Sequence, residues 1–539
     1  MTWLLFPGRH HLLTNFQQEY LTYVCGADPA ALRDVDGRPL SGFAPVDTIL
    51  WAVTSANHSN TRRNPLPAHR REAMIEDFAH QVEADSFVYM IDDVGTTGRF
   101  AEYVLKKIAV DSNGRFRCTP ENTVVGCSTP AVIALYEKLG FRVLPVELAD
   151  RRAETFRAET PWQLLQRIVA AGRDGRDWRT DEAYLTRVSR ATRRMYRKYD
   201  YGSAIVRLHT MPILTEDGDI TETRDYNTYV RAFDEGADRK YALIRDLVVP
   251  GRIADIGCCT GGLIAAMTRD DRLRESDFYG IEIARRLYAE CLHRKEQGAF
   301  ANENVFFYQA NIAAGTLFPA DSINTFTTFA LTHEIESYQG RPALTHFMGI
   351  LRRQLALGGR WINVDVVGPD DGDRPVLMRC NREDGRNDDW ERDFEPGRRE
   401  QLRAYLDGLS THARFLRFAR DFRHDEGYRL AWEPVSVGDR RFVRLGLRDA
   451  CEFLSKKDYT DNWASEMHEA FCFWSFADWK AAVGSAGFRV HPASRAFTNP
   501  WLVENRYRGR VELFDPAADG APAPLDFPVT NMVLVAERG

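Results

Sequence analysis

Residues 252–262 read RIADIGCCTGG, and this stretch decides the fold of the second half of the chain. The opening RIADI is short and apolar, which is typical of a buried strand. The glycines that follow indicate a tight turn and a helix that begins near Gly261. Glu282 follows Gly257 by 25 residues, at the end of the next predicted strand. A strand, a glycine-rich turn, a helix and a carboxylate in this order predict a Rossmann-type site.

The spacing of the turn bears on its ligand. Backbone amides at the start of a helix favour an anionic group, which could be a pyrophosphate or the carboxylate of a methionine moiety. The turn reads D-x-G-x-x-x-G, with Cys259 at its middle position. Because the Cys259 side chain would crowd a pyrophosphate, the spacing favours the smaller anion over NAD.

Over about 230–367 and 470–539 the chain resembles the class I S-adenosylmethionine-dependent methyltransferases. The resemblance is carried by the turn, by Glu282, by Asn311 after the third strand, by ALTHEIESY (330–338) and by the closing GFRV and MVLVAER strands. In that family the turn holds the methionine part, the acidic residue binds the ribose hydroxyls and the residue after the third strand contacts adenine. The family usually has Asp at that last position, but an Asn side chain can also hydrogen-bond adenine.

The resemblance implies S-adenosylmethionine as the cofactor, and a Rossmann domain that binds another ligand is the alternative. The implied binding residues are Asp255, Gly257, Cys258, Cys259, Gly261, Glu282 and Asn311.

Methyl transfer depends mainly on alignment of donor and acceptor, and a base is needed only when the acceptor must lose a proton. His333 and Glu334 follow the fourth predicted strand, and Asp365 lies near the end of the fifth. We predict these three as catalytic residues, with a helix-capping role for His333 as the alternative. Glu466 and Glu469 have the pattern of a solvated helix face.

No metal site is predicted. His10 and His11 are adjacent, and neighbours in an extended turn point to opposite sides. The nine cysteines include no C-x-x-C spacing, which indicates reduced thiols and a cytoplasmic protein.

The first half of the chain alternates strand and helix patterns and so predicts a second parallel sheet. The strands are TWLLF (2–6), TILWAVTS (48–55), SFVYMI (86–91), TVVGC (123–127) and RVLPV (142–146). Two further segments, FPGRHHLLTNFQ (6–17) and VTSANHSNTRRNPLPAHRREAMI (53–75), resemble the nicotinamide-nucleotide adenylyltransferases over about 1–175. The resemblance implies a nucleotide site formed by Gly8, Arg9, Thr14, Gln17, Ser55, Asn64 and Arg71.

The catalytic motif of that family is degenerate here. Its two histidines fall on Thr14 and Gln17, and the arginine of its late motif has no counterpart in AETPWQLL (158–165). Nucleotidyl transfer depends on positioning and charge stabilisation, so losing a His and an Arg removes most of the expected activity. Arg9 and Arg71 remain as phosphate-binding candidates. The first domain is therefore predicted to bind a nucleotide of the ATP or NMN type, or a nucleotide-like substrate.

The 539 residues, with net charge −6 and 44% hydrophobic residues, predict a soluble multidomain protein without a bias towards nucleic acid or membranes. The predicted fold is α/β, with two Rossmann-like, doubly wound parallel-sheet domains, of which the second has a seven-stranded sheet. The predicted boundaries are 1–178 for the first domain, 179–225 for a basic helical linker and 226–539 for the second domain, with an insertion at 368–470 as a substrate cap.

The predicted function is methyl transfer to a small molecule, either nucleotide-linked or a specialised metabolite. The alternatives are an active bifunctional nucleotidyltransferase–methyltransferase, an RNA methyltransferase and a non-catalytic nucleotide sensor. RVSRATRRMYRKYDY (187–201) could contact RNA through its arginines and tyrosines. An interdomain helix whose arginines pair with acidic residues is the favoured interpretation.

Overall fold

A computed structural model describes residues 2–94, 98–210, 236–395, 398–516 and 521–539. The chain divides into two α/β units. The first comprises Met1–Asp219 with Tyr308–Leu317, and the second Ile220–Phe307 with Phe318–Gly539. None of the described helices is long and apolar enough to cross a bilayer.

The first unit contains the predicted parallel sheet. Its strands are β1 (Thr2–Gly8), β2 (Val46–Thr54), β3 (His58–Ser59), β4 (Asp85–Ile91), β5 (Thr123–Gly126), β6 (Arg142–Leu144), β7 (Leu148–Asp150) and β8 (Thr155–Phe156). Five of them form a sheet in the order β4-β2-β1-β5-β6, and every pairing in it is parallel. The apolar residues of β1 and β2 are buried at successive positions, as expected for strands covered on both faces.

The helices of the first unit extend through the segment predicted as a linker. They are α1 (Asn15–Gly26), α2 (Ala68–Ala79), α3 (Phe100–Asp111), α4 (Pro130–Glu137), α5 (Pro161–Arg173), α6 (Glu182–Arg187), α7 (Arg190–Tyr199) and α8 (Tyr201–Thr210). Tyr184, Tyr196 and Ile205 pack with Leu165 of α5 in one apolar cluster. Residues 179–210 are therefore part of the first unit because their apolar side chains share its core. Residues 211–225 of the predicted linker lie outside the described residues.

Arginines near and within α7 have acidic partners. Arg187 forms an ion pair with Glu159, and Arg194 with Asp77 at 3.1 Å. These pairs agree with the part of the favoured interpretation that gives the arginines acidic partners, although α7 packs within the first unit.

The second unit has two sheets. Its strands are β9 (Arg252–Ile256), β10 (Asp277–Glu282), β11 (Val305–Ala310), β12 (Ile323–Phe329), β13 (Leu355–Val366), β14 (Pro375–Cys380), β15 (Trp432–Val437), β16 (Arg440–Gly446), β17 (Arg489–Val490), β18 (Arg495–Phe497), β19 (Val511–Asp515), β20 (Ala523–Leu525) and β21 (Asn531–Glu537). The larger sheet has the order β17-β21-β13-β12-β9-β10-β11, with β18 also paired to β21. β21 runs antiparallel to β13, whereas β9 is parallel to both β10 and β12. The predicted larger sheet is confirmed as a mixed sheet, although it has more strands than the seven predicted, and its strand order reverses between β9 and β12.

The helices of the second unit follow the predicted alternation. They are α9 (Ala237–Ile244), α10 (Gly262–Met267), α11 (Arg285–Glu296), α12 (Thr332–Gln354), α13 (Arg399–Gly408), α14 (Thr411–Asp421), α15 (Leu447–Lys456), α16 (Trp463–Glu466), α17 (Phe476–Ser485) and α18 (Pro500–Leu502). α12 is interrupted at Gly340, where φ is 80°. Of the helix predicted over 226–248, residues 226–235 lie outside the described residues.

The insertion is a small α/β layer with its own core, and it differs in extent from the predicted 368–470. Its sheet has the order β15-β16-β14-β19-β20, so two of its strands come from the later segment between β18 and β21. Val511 and Leu513 of β19 pack with Phe415 and Phe418 of α14. Val511, Leu513 and Phe514 of β19 are all buried, and β19 pairs with β14, so the later segment belongs to the insertion.

Candidate active site

The glycine-rich turn joins the carboxyl end of β9 to α10. β9 lies beside β12, at the point where the strand order of the sheet reverses. Gly257, Cys259 and Gly261 have φ values of 70°, 54° and 79°, in the left-handed region that favours glycine. The Gly257 amide donates to the carbonyl oxygen of Ile281 at 2.9 Å, and the Gly261 amide to that of Cys258 at 2.8 Å. The turn is thereby held against the end of β10.

Glu282, the last residue of β10, faces this turn. Its Oε2 accepts a hydrogen bond from the Cys259 amide at 2.9 Å. Its Oε1 accepts from the amides of Ile283 at 2.8 Å and Ala284 at 2.9 Å. Burial raises the pKa of Glu282 to about 7, against the opposing effect of the three amides. The predicted ribose-binding carboxylate therefore lies beside the turn, oriented by backbone donors.

Asp255 lies on β9 immediately before the turn. Its Oδ1 accepts a hydrogen bond from the Thr327 hydroxyl at 2.7 Å. Burial raises the pKa of Asp255 to about 7, although the hydrogen bond from Thr327 and the positive charge of Lys240 act in the opposite direction. Asp255 also lines a pocket, whose walls are Lys240, Asp255, Gly257, Cys258, Cys259, Thr260, Gly262, Leu263 and Phe329.

Five of the nine pocket residues were not predicted from the sequence, and two of them, Lys240 and Phe329, lie outside the turn and the helix that follows it. Lys240 belongs to α9, and its Nζ is 5.8 Å from the ring centroid of Phe329 at the end of β12. Lys240 lies in no motif, and a lysine on a short helix gives no signal of a binding role. Phe329 continues the apolar strand pattern and so reads as a core residue.

The predicted catalytic residues His333 and Asp365 are hydrogen-bonded to each other. His333 Nδ1 and Asp365 Oδ1 are 2.6 Å apart. Asp365 Oδ2 accepts from the Thr332 amide at 2.8 Å and the Thr332 hydroxyl at 2.6 Å. Burial would raise the pKa of Asp365, but His333 and these hydrogen bonds together lower it. The carboxylate is thus ionised and fixes the ring of His333.

The other ring nitrogen of His333 faces a carboxylate that the sequence analysis assigned to a solvated helix. Glu469 Oε2 is 3.4 Å from His333 Nε2, and Tyr338 donates to Glu469 Oε1 at 3.0 Å. Glu469 is 1% exposed and Glu466 is 8% exposed, so the prediction of a solvated face is wrong. The reason is that the segment 466–472 packs against the site. The ring of Phe471 lies edge-on to that of His333, with their centroids 4.8 Å apart.

Burial would lower the pKa of His333, but the neighbouring carboxylates of Asp365 and Glu469 raise it well above its usual range. Glu334, the third predicted catalytic residue, joins this group. One donor atom from each of His333, Glu334 and Glu469 lies within 4.8 Å of the others. We call these three residues the HEE cluster.

Asn311 follows β11 and belongs to the segment that clusters with the first unit. Its Oδ1 accepts a hydrogen bond from the Ala313 amide at 3.1 Å and caps a short 3-10 helix, Ile312–Ala314.

In the first unit, the residues that replace the two histidines of the adenylyltransferase motif have structural roles. Thr14 is the N-cap of α1, and Thr14 and Gln17 form a capping box with hydrogen bonds of 3.0 and 3.1 Å. Gln17 Nε2 also donates to the buried Glu147 at 2.8 Å. A side chain engaged in both contacts does not present a free donor to a phosphate.

Arg71 was predicted as a phosphate ligand, but its contacts are structural. It is fully buried, and its guanidinium donates to the carbonyl oxygens of Thr54 at 2.8 Å, Ser55 at 2.8 Å and Arg9 at 3.1 Å. Burial lowers the pKa of Arg71 to about 9. Arg71 therefore holds the end of β2 against the turn after β1.

The remaining predicted residues of this site lie near the same strand ends. Ser55 donates to Asp93 at 3.2 Å, and Asn64 Oδ1 is 3.4 Å from His11 Nε2. Gly8 packs so closely that a Cβ there would lie 2.9 Å from the His10 ring.

Neither a protein-family model nor a curated protein sequence matches the chain. Several solved structures resemble part of it. An S-adenosylmethionine-dependent methyltransferase from Mesorhizobium loti is 14% identical, covers 57% of this chain and all of its own, and has a TM-score of 0.30.

Two further structures are described in similar terms. A methyltransferase from Methanosarcina mazei is 14% identical over 55% of this chain and 97% of its own, with a TM-score of 0.28. One from Clostridium acetobutylicum is 10% identical over 58% of this chain and 99% of its own, also with a TM-score of 0.28. A likeness at these identities concerns the fold alone.

Proposed function

We propose that the second unit is an S-adenosylmethionine-dependent methyltransferase that acts on a small molecule. One observation carries the proposal: the carboxylate of Glu282 accepts a hydrogen bond from the Cys259 amide. This contact lies at the carboxyl ends of β9 and β10, next to the point where the strand order reverses. Ligands of open α/β sheets bind at such reversal points, outside the carboxyl ends of the strands.

The donors and acceptors around the turn suit the proposed cofactor. Glu282 offers carboxylate oxygens to the ribose hydroxyls. Lys240 and Asp255 line the same pocket and offer opposite charges to the carboxylate and ammonium groups of a methionine moiety. When bound, the cofactor supplies a reactive methylsulfonium. The protein's role at this end is to bind and orient.

On the acceptor side, we assign the catalytic group to His333, Glu334 and Asp365. Asp365 fixes the ring of His333 through Nδ1, which directs Nε2 towards Glu469. The carboxylates of Glu334 and Glu469 can bind the acceptor and take up its proton, and His333, whose pKa is raised by its carboxylate neighbours, holds them in place as a cation. His333 is 5% exposed and Glu469 1%, which favours a small acceptor over an RNA strand. Nucleotide-linked compounds and specialised metabolites remain the substrate classes of the proposal.

For the first unit we propose a nucleotide-binding module that has lost nucleotidyl transfer. The capping box of Thr14 and Gln17 and the buried carbonyl contacts of Arg71 support the loss of nucleotidyl transfer, whereas nucleotide binding rests on the resemblance in sequence. Incubation with ATP and nicotinamide mononucleotide should release no pyrophosphate above the background without protein. Release at an enzymatic rate would favour the bifunctional alternative.

Calorimetry with S-adenosylmethionine tests the central proposal. The wild-type chain should bind one equivalent, and Asp255→Ala and Gly257→Val should abolish measurable binding while thermal unfolding shows a folded protein. His333→Asn and Asp365→Asn should bind the cofactor normally. Absence of binding by the wild type would favour the sensor alternative.

A further inference from the structure

The HEE cluster combines two of the side-chain types that bind transition metals in proteins, imidazole and carboxylate. Its members are the imidazole of His333 and the carboxylates of Glu334 and Glu469. First-row divalent ions bind such nitrogen and oxygen ligands at about 2.0–2.2 Å, so two ligands of one ion lie roughly 3–3.5 Å apart. The 3.4 Å separation of His333 Nε2 and Glu469 Oε2 falls in this range.

Residues around the cluster hydrogen-bond its members, as residues next to metal ligands commonly do. A metal-binding histidine usually gives its other ring nitrogen to a carboxylate, and Asp365 occupies that position at 2.6 Å from His333 Nδ1. Tyr338 hydrogen-bonds the second oxygen of Glu469 at 3.0 Å. One oxygen of Glu469 is thereby fixed, and the other faces His333.

The backbone of Glu469 is fixed by a separate buried pair. Lys456 and Glu452 form an ion pair of 2.6 Å, and the same ammonium donates to the Glu469 carbonyl oxygen. Glu452 in turn accepts from the amides of Phe471 at 3.1 Å and Cys472 at 2.7 Å. The insertion therefore presents Glu469 to the sheet from a rigid support.

Carboxylates surround the imidazole of His333. Asp365 and Glu469 face its two nitrogens, and Glu334 lies within reach of the same point. Buried carboxylates are stabilised when they are paired with cations or coordinate metals, and a divalent ion bound by Glu334, Glu469 and His333 would supply such a charge.

We propose that His333, Glu334 and Glu469 bind one divalent first-row transition metal ion, with Asp365 as the residue that orients His333. The ion would lie at the acceptor side of the site and bind an oxygen or nitrogen atom of the acceptor. This role of the ion rests on the proposed function, whereas the binding of the ion does not.

Manganese is the best probe because it prefers oxygen and nitrogen ligands, which limits binding to the nine cysteines of the chain. The full chain is freed of metal with a chelator, the chelator is removed, and MnCl2 is added while electron paramagnetic resonance measures free Mn²⁺. The wild type should remove one equivalent of Mn²⁺ from solution.

Three variants test the assignment. Glu334→Gln and Glu469→Gln should weaken Mn²⁺ binding at least tenfold, and Asp365→Asn should weaken it about 10- to 100-fold through the orientation of His333. The matched control is Glu426→Gln, because Glu426 and His468 form a comparable carboxylate–imidazole pair of 2.7 Å at the surface. This control should bind as the wild type does.

Thermal unfolding without metal shows which variants fold, and Glu334, which is half-buried, is the substitution that the fold tolerates best. A wild type that leaves Mn²⁺ free, or a Glu334→Gln chain that binds it as tightly as the wild type, overturns the proposal. Calorimetry with S-adenosylmethionine on the same metal-free protein distinguishes this failure from failure of the proposed function.

Discussion

The carboxylate of Glu282 accepts a hydrogen bond from the amide of Cys259 at 2.9 Å, across 23 residues of sequence. This contact ties the end of β10 to the turn after β9. The same carboxylate accepts two further amide hydrogen bonds from its own strand end, so its orientation is set before any ligand binds. Preorganisation of this kind reduces the ordering cost of binding.

Glu282→Gln should weaken S-adenosylmethionine binding roughly 10- to 100-fold, the range expected for losing a charge-assisted hydrogen bond. A carboxamide has one acceptor oxygen where the carboxylate has two, so either the Cys259 amide or the Ile283 and Ala284 amides meet an NH2 group. Calorimetry measures the change. Glu296→Gln, at an exposed position of α11, is the control and should bind normally. Equal affinities for Glu282→Gln and the wild type would contradict the assignment of Glu282.

Cofactor binding should depend on pH around neutrality. The pKa of Glu282 is raised to about 7, and only the ionised carboxylate can accept hydrogen bonds from both ribose hydroxyls at full strength. The fraction ionised falls about tenfold between pH 8 and pH 6 for such a group, so the dissociation constant should rise by about that factor. Calorimetry at both values tests this, and Glu282→Gln should show a smaller change. A wild-type affinity independent of pH would count against it.

Asp255 should lower the stability of the ligand-free protein at high pH. Its pKa is raised by burial to about 7, so the folded state holds the proton more tightly than the unfolded chain. The stability that this bound proton contributes to the folded state is fully present below the unfolded pKa of about 4, and it is lost as the pH rises through 7. Asp255→Asn keeps an acceptor for Thr327 and removes the buried charge.

We therefore expect Asp255→Asn to be more stable than the wild type by on the order of 4 kcal/mol at pH 8 and by on the order of 1–2 kcal/mol at pH 5, with melting temperatures raised accordingly. Asp271→Asn, at an exposed position, should show no such difference. If Asp255→Asn changed the melting temperature equally at both pH values, the raised pKa would be refuted.

A glycine should be needed at position 261 both because the backbone is left-handed there and because the site has no room for a Cβ. Its φ is 79°, and a Cβ there would lie 3.1 Å from the rings of Phe300 and Phe307. Gly298 provides a matched control because its φ is 72° and a Cβ there would meet no atom within 4 Å. Gly298→Ala should cost about 1 kcal/mol.

Gly261→Ala should cost clearly more stability than Gly298→Ala and should also weaken cofactor binding, because the displaced rings shift the turn. Thermal unfolding and calorimetry of both variants measure the two effects. Equal losses in the two variants would show that the contact with the rings has no role.

Much of the fold follows from the sequence because its strands are short, apolar and separated by turns. RIADIG and MVLVAER give β9 and β21 with errors of one residue or so at their ends. The insertion is harder to predict since β14 pairs with β19 across more than 130 residues, and no local pattern specifies a long-range antiparallel pairing.

The site is predictable where a motif coincides with a strand end. Glu282, His333 and Asp365 each follow or end a strand of a parallel sheet, and the carboxyl ends of such strands meet at one edge. Glu469 and Lys240 lie in no such position. Their contribution depends on how the insertion and α9 pack on the sheet, which is a tertiary property.

Arg71 distinguishes a structural from a phosphate-binding role in the first unit. Its guanidinium donates three hydrogen bonds to the carbonyl oxygens of Thr54, Ser55 and Arg9, in a geometry that a lysine ammonium cannot match because it lacks the planar fork. Arg71→Lys should therefore destabilise the chain by on the order of 2–4 kcal/mol, since buried carbonyls lose charged donors. At a phosphate site, Arg71→Lys would instead keep most of the stability and weaken phosphate binding, because the planar fork that contacts the phosphate oxygens is lost.

Thermal unfolding and limited proteolysis measure the effect of Arg71→Lys, with Arg176→Lys as the control because Arg176 is exposed and pairs with Asp174. The control should be neutral, as surface ion pairs contribute little. An Arg71→Lys chain as stable as the wild type, with weakened binding of ATP, would restore Arg71 as a phosphate ligand and with it the case for nucleotidyl transfer in the first unit.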